Sequence, residues 1–150
     1  MCKVLITVLA ACLGLAEWAS VAAGELFSKT GPVIAIMANE LFLGEAEGHL
    51  SGAGTIAIHS QRNPNVTCAG QFTSSAVLGG SGQMHCSDGA TATFHFQRLG
   101  ILRGYGTGSF NRGAMSFAYG FTAEEAAPYL TPPVGKKLTY NGTELKLADR

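Results

Sequence analysis

The residues best suited to chemistry in this chain are its histidines and one pair of glutamates. Glu45, Glu47 and His49 recur at every second position in "FLGEAEGHL". On an extended strand they share one face, with successive side chains roughly 7 Å apart. His85 and His95 lie on two neighbouring segments of the same extended character. Imidazole nitrogens and carboxylate oxygens are the donors that proteins offer to divalent metals, so Glu45, Glu47, His49, His85 and His95 are the candidate metal ligands. Outward polar residues on half-buried strands repeat with the same period, and that is the competing reading. Glu45 and Glu47 can also be compared with the carboxylate pair of a glycoside hydrolase. Such a pair faces across a cleft from different elements, whereas two glutamates along one strand serve as a solubilising edge. No GxSxG elbow is present, and a hydrolase is the weakest of the functional readings.

The stretch "RGYGTGSFNRGAMSFAYG" places Gly104, Gly106 and Gly108 at alternate positions. A dinucleotide-binding loop needs GxGxxG between a strand and a helix, and a P-loop needs Gly-Lys followed by Ser or Thr. Neither pattern occurs. The spacing instead predicts a strand with one face bare, over which Phe94, Phe96, Phe117 and Tyr119 can lie, or a strongly curved barrel corner. The sequence calls for no cofactor.

The elements that carry these residues belong to one domain, since 150 residues are too few for two comfortable ones. Lys and Arg number 10 and so do Asp and Glu. With no basic stripe or polybasic run, nucleic acid is not an expected partner. The first residues, "MCKVLITVLAACLGLAEWASVAAGE", combine Lys3, an apolar run from Val4 to Leu15 and small residues at Ala19, Ser20, Ala22 and Ala23. This is the layout of a signal peptide over residues 1–23, cleaved near Ala22 or Ala23. Leu9-Ala10-Ala11-Cys12 also resembles a lipobox, in which Cys12 would become a lipid anchor. Both routes export the protein, and neither leaves a membrane-spanning helix in the mature chain, because the apolar run falls short of ~20 residues. Cys68 and Cys86 then remain in an oxidising compartment, where a disulfide is the default state of such a pair.

From Leu41 onward, alternating segments are separated by Gly, Asn, Asp and Ser, the pattern of an all-β chain. Strands are expected at Leu41 to Leu50, Ala53 to Ser60, Val66 to Phe72, Gly82 to Cys86, Ala90 to Gln97, Arg103 to Phe110 and Ala114 to Phe121. "TGPVIAIMANELFL" fits a strand around Val33 to Met37, or a short helix capped near Thr30. Ser87-Asp88-Gly89 and Asn111-Arg112-Gly113 read as three-residue hairpin turns. Thr122 with Glu125 makes a capping box for a short helix that Pro128 limits. The expected fold is an antiparallel meander of seven or eight strands, forming a small barrel or a sandwich, with one short C-terminal helix. Residues 24–130 form the β domain and residues 131–150 a tail or small hairpin turning at Asn141-Gly142.

The turns allow a register to be tested. Pairing Cys86 with Ala90 sets Met84 against Ala92 and Gly82 against Phe94. Placing Cys68 opposite Cys86 then sets Gly70 against Met84 and Phe72 against Gly82. All these residues fall on one face, while Thr67, Gln71, Gln83, His85, Thr91, Thr93 and His95 fall on the other. One pairing of two cysteines thus sorts three strands into an apolar and a polar side.

The segments "GELFSKTGPV", "CAGQF" at Cys68 to Phe72, "CSDG" at Cys86 to Gly89 and "GYGTGSF" make the chain resemble a group of small exported bacterial envelope proteins of unknown function, many of them lipoprotein-like. The resemblance implies an all-β fold and an envelope location; with export, the chain is expected in the periplasm, attached to the outer membrane, or outside the cell. It implies no activity. The expected function is non-catalytic binding or stabilisation of an envelope component, with a small-ligand carrier using a barrel mouth as the alternative. Mass spectrometry of protein recovered from its host is expected to find a chain beginning near Gly24, or a diacylglyceryl group on Cys12. An intact Met1 on cytoplasmic protein would refute export.

Overall fold

Period-two alternation produces eight barrel strands in the computed structural model, which describes residues 28–75 and 77–150. They are β1 (Ser28–Met37), β2 (Glu40–His49), β3 (Ala53–Ser60), β4 (Thr67–Ser74), β5 (Gly79–Cys86), β6 (Thr91–Arg98), β7 (Gly104–Phe110) and β8 (Gly113–Tyr119). Each pairs antiparallel with the next, and β1 pairs with β8, so the meander closes as a barrel. The signal-peptide segment and Cys12 lie outside the described residues.

"GPVIAIM" is a strand and not a helix. Its connection to β2 is the two-residue turn Ala38-Asn39, with φ of 54° and 62°. Positive φ at both central positions matches the right-handed twist of a hairpin. Asn adopts that conformation readily, whereas Ala carries no such signal. Ser87-Asp88-Gly89 is the expected three-residue turn: Gly89 takes φ 88° and the Cys86 N–H donates to the Ala90 carbonyl at 2.8 Å. The second turn is tighter than expected. Gly113 pairs with Phe110 inside the ladder, which leaves only Asn111 and Arg112 to connect β7 and β8.

The register follows the cysteines. Cys68 faces Cys86, Gly70 faces Met84, Phe72 faces Gly82, and Gly82 in turn faces Phe94. Cys68 and Cys86 form a disulfide with Cα atoms 3.9 Å apart, below the usual ~4.4–6.8 Å. The Ser87 N–H donates to the Thr67 carbonyl, which makes the neighbouring Cys68/Cys86 pair the non-hydrogen-bonded kind, whose Cα atoms come closest.

Closure of eight strands leaves an interior just wide enough for side chains. Strand β7 meets that constraint by presenting only glycine inward until Phe110. A Cβ on Gly104 would strike the Tyr119 ring, one on Gly106 the Phe117 ring, and one on Gly108 Phe94. The bare strand therefore makes room for the aromatic rings of its neighbours. One end of the interior is filled: Met37, Phe42, Ile58, Cys68, Met84, Ala92 and Met115 are all buried there.

A second apolar layer lies outside the barrel. Ile34, Ile36 and Leu41 point outward from β1 and β2, and Ala118 from β8. They are covered by Phe121, by α1 (Ala123–Ala126), by Leu130 and by the hairpin β9 (Lys136–Tyr140) and β10 (Leu145–Asp149). The Thr122 hydroxyl accepts from the Glu125 N–H while the Glu125 carboxylate accepts from the Thr122 N–H, completing the capping box. Those bonds to Thr122 hold the Glu125 carboxyl below its usual range. The C-terminal hairpin is packed onto the barrel: Leu145 is buried, and Gln61 donates to Glu144 at 2.8 Å and to the Leu145 carbonyl at 3.2 Å. Asn141 stabilises its turn by accepting from the Thr143 and Glu144 N–H groups.

The disulfide closes a loop with a sequence separation of 18, worth about 3 kcal/mol in the chain-entropy account. Cys68→Ser and Cys86→Ser are each expected to lower Tm by roughly 10 °C, and the double variant to add little. Two titratable thiols in the oxidised protein, or additive losses in thermal unfolding, would contradict this.

Candidate functional site

The filled end of the barrel gives way to an open one. Towards the starts of β1, β3, β5 and β7 and the ends of β2, β4, β6 and β8, the interior holds a cavity of about 580 Å³. That volume lies within the ~300–1,000 Å³ of small-molecule sites. Small inward residues create the space: Gly31, Ala46 and Gly48 line it where larger side chains would fill it. Phe72, Phe94, Phe96, Phe117 and Tyr119 form an aromatic wall. Phe72 meets Phe96 edge-on at 5.6 Å, Phe94 meets Phe117 at 5.3 Å, and Phe96 meets Tyr119 at 5.7 Å. These are the offset geometries that aromatic pairs prefer, so the wall is braced against collapse into the cavity.

One charged group reaches into this apolar space. Arg98 is the last residue of β6 and follows Phe94 and Phe96 on the inward face. Its Nη2 donates to the Ser74 hydroxyl at 2.9 Å. Its Nε is buried and has no hydrogen-bond partner among the described residues. An unsatisfied buried donor costs about 1–3 kcal/mol. Tyr119 lies on the same wall. Burial raises its hydroxyl above the ordinary tyrosine range, with the charge of Arg98 working against that shift, so at neutral pH it is a neutral hydroxyl. Lys29 and His49 stand at the rim, and among the described residues no carboxylate lines the cavity. The arrangement is apolar at depth and cationic at its mouth.

The sequence-derived metal ligands are distributed differently. Glu45, Glu47 and His49 do share the outer face of β2. Glu45 sits between Pro32 and Ala57, Glu47 sits between Thr30 and Thr55, and His49 lies opposite Ser28. His85 lies opposite Thr91, and His95 opposite Ser81 and Thr107. The two histidines are thus four register positions apart, roughly 13 Å along the strands. Among the described residues no group of three or more His, Cys, Asp or Glu side chains converges as a metal site would require. Only His49 of the five lines the cavity.

The expected strand Ala90 to Gln97 stops one residue short of Arg98. Its signal was present nonetheless: the alternation Ala92, Phe94, Phe96 runs on to Arg98, and a charge on a core-facing position is an anomaly. The closing contact of Tyr119 with β1 had no local signal. Comparison with protein families, with curated proteins and with solved structures finds no match to this chain.

Arg98→Met keeps the length of the side chain and removes both the charge and the orphaned donor. It is expected to leave Tm unchanged or raise it by a few degrees, because the lost Ser74 bond is worth about 1 kcal/mol and the relieved Nε about as much or more. A fall of more than roughly 5 °C in calorimetry would show that Arg98 is a structural residue.

Proposed function

We propose that this protein is an exported envelope protein that binds a small amphipathic anion in the open end of its barrel. The cavity carries this reading, because a barrel packed solid would exclude it. The apolar part of the ligand lies against Phe72, Phe94, Phe96 and Phe117. The anionic head meets Arg98, where the buried Nε supplies a donor that the protein itself leaves unused, and the Tyr119 hydroxyl stands nearby on the same wall. A medium-chain carboxylate has this chemistry. Binding is supported by the lining, which is mostly apolar and holds no carboxylate among the described residues. Export is supported by Lys3, the apolar run and the small residues before Gly24, and it fits the Cys68–Cys86 disulfide.

Displacement of a fluorescent fatty-acid probe tests the proposal. Laurate is expected to displace it, with dodecanol weaker. Arg98→Met is expected to weaken laurate about 10-fold or more while leaving dodecanol nearly unchanged, since a charge-assisted hydrogen bond is worth about 1.5–3 kcal/mol. Ala46→Trp, which fills the cavity, is expected to abolish both. Equal affinity of the unaltered protein and the Arg98→Met protein for laurate would overturn the placement of the head group. Failure of both ligands to bind would overturn the reading as a whole.

A further inference from the structure

The two ends of the barrel differ in more than filling. At the open end, Leu50 is on the β2–β3 turn, Val77 and Leu78 on the β4–β5 connection, and Ile101 on the β6–β7 connection. Their exposures are 78%, 77%, 80% and 84%. Leu99 and Leu102 are exposed beside Ile101. Among the described residues, the remaining exposed large hydrophobics are Val134 and Tyr140. The connections at the filled end expose no large aliphatic side chain: they are Ala38-Asn39, residues 61–66, Ser87-Asp88-Gly89 and Asn111-Arg112. Three separate loops therefore raise aliphatic tips around a single opening, and an exposed apolar patch of this kind marks an interaction surface.

We infer that this rim docks on an anionic lipid bilayer, with its aliphatic tips entering the interface and the cavity mouth facing the lipid. Charge selects the bilayer. The β2–β3, β4–β5 and β6–β7 connections and the strand ends that adjoin them carry Lys29, His49, Arg98 and Arg103, with no Asp or Glu among residues 28–31, 48–54, 74–80 and 97–104; the nearest acids are Glu47, on β2 opposite Thr30, and Glu124 and Glu125 in α1. Arg103 is partly compensated by Glu125 at 3.5 Å; Lys29 is exposed. Aliphatic side chains with basic residues beside them are the composition that partitions into an anionic interface. Leu50, Ile101 and Leu102 border both the rim and the cavity, whereas Val77 and Leu78 belong to the rim alone.

Flotation with vesicles tests it, using the exported Cys12→Ser chain so that no lipid anchor contributes. Co-flotation is expected with vesicles of phosphatidylcholine and phosphatidylglycerol, less with phosphatidylcholine alone, and less again in high salt, which screens the basic rim. Val77→Ser/Leu78→Ser/Ile101→Ser is expected to lower the bound fraction at least tenfold while keeping Tm. Ile101→Asp alone, on a different loop from Val77 and Leu78, supplies a second variant should the triple one not fold. Absence of flotation, or flotation that these substitutions leave unchanged, would overturn the inference. So would a dimer in light scattering that the triple substitution dissolves, because the rim would then belong to a second copy. Vesicle binding without laurate binding would uphold the rim and sink the cavity proposal; laurate binding without vesicle binding would do the reverse.

Discussion

Closing eight strands on themselves sets an interior width before any side chain is chosen. The rest of the molecule follows from how that width is filled. Large inward residues on every strand would clash, and small ones on every strand would leave voids that dense packing disfavours. This chain places its bulk unevenly. Strand β7 presents Gly104, Gly106 and Gly108 inward; the Tyr119 and Phe117 rings lie where side chains on Gly104 and Gly106 would be, and the Phe94 backbone and Cβ where one on Gly108 would be. The glycine run is thus the counterpart of an aromatic wall, and neither makes sense alone.

The same uneven filling gives the barrel two ends of different character. At the filled end the Cys68–Cys86 disulfide, Met37, Met84 and Met115 occupy the interior. The turns there also brace one another: Asp88 pairs with Arg112 at 2.7 Å, and Asn111 accepts from the Thr91 N–H at 2.6 Å. The backbone N–H of Ala90 and the Arg112 guanidinium hold the Asp88 carboxyl below its usual range. At the open end small residues leave space, a guanidinium nitrogen is buried unpaired, and aliphatic tips face outward. Each of these features costs stability in isolation, and all three fall on one side of the molecule. The rigid end holds the strands that the open end needs to keep apart.

Outside the barrel, α1 and the C-terminal hairpin cover the one sector whose outer face is apolar. The second half of β1, Val33 to Met37, is hydrophobic on both faces and buried on both, between the interior and this second layer. Tyr105, Tyr129 and Phe121 stack in succession at 4.9 Å, with Arg103 5.2 Å above the Phe121 ring. Ser116, one of the few buried polar side chains, accepts from the Thr131 N–H and ties the C-terminal segment to β8. Residues 131–150 are therefore part of the packed structure and not a loose tail.

What the sequence determined by itself is the part governed by period and by near neighbours. Alternation marks which residues of β3 to β8 face inward, since side chains on a strand change sides at every residue. Asp88-Gly89 signals a turn, and Thr122 with Glu125 signals a capping box, because those devices act within three or four residues. Opposing Cys68 to Cys86 set the register of three strands, because a one-residue slip would move every side chain to the wrong face. The tertiary structure alone decided the rest. Whether the meander closes depends on Val33 to Ile36 meeting Ser116 to Tyr119, a pairing between the two ends of the barrel sequence with no local signal. The cavity depends on where the inward glycines of one strand fall relative to the rings of the next. The gathering of Leu50, Val77, Leu78 and Ile101 around one opening depends on strand direction. Each is a property of the closed circuit of strands, and no single segment of the chain contains it.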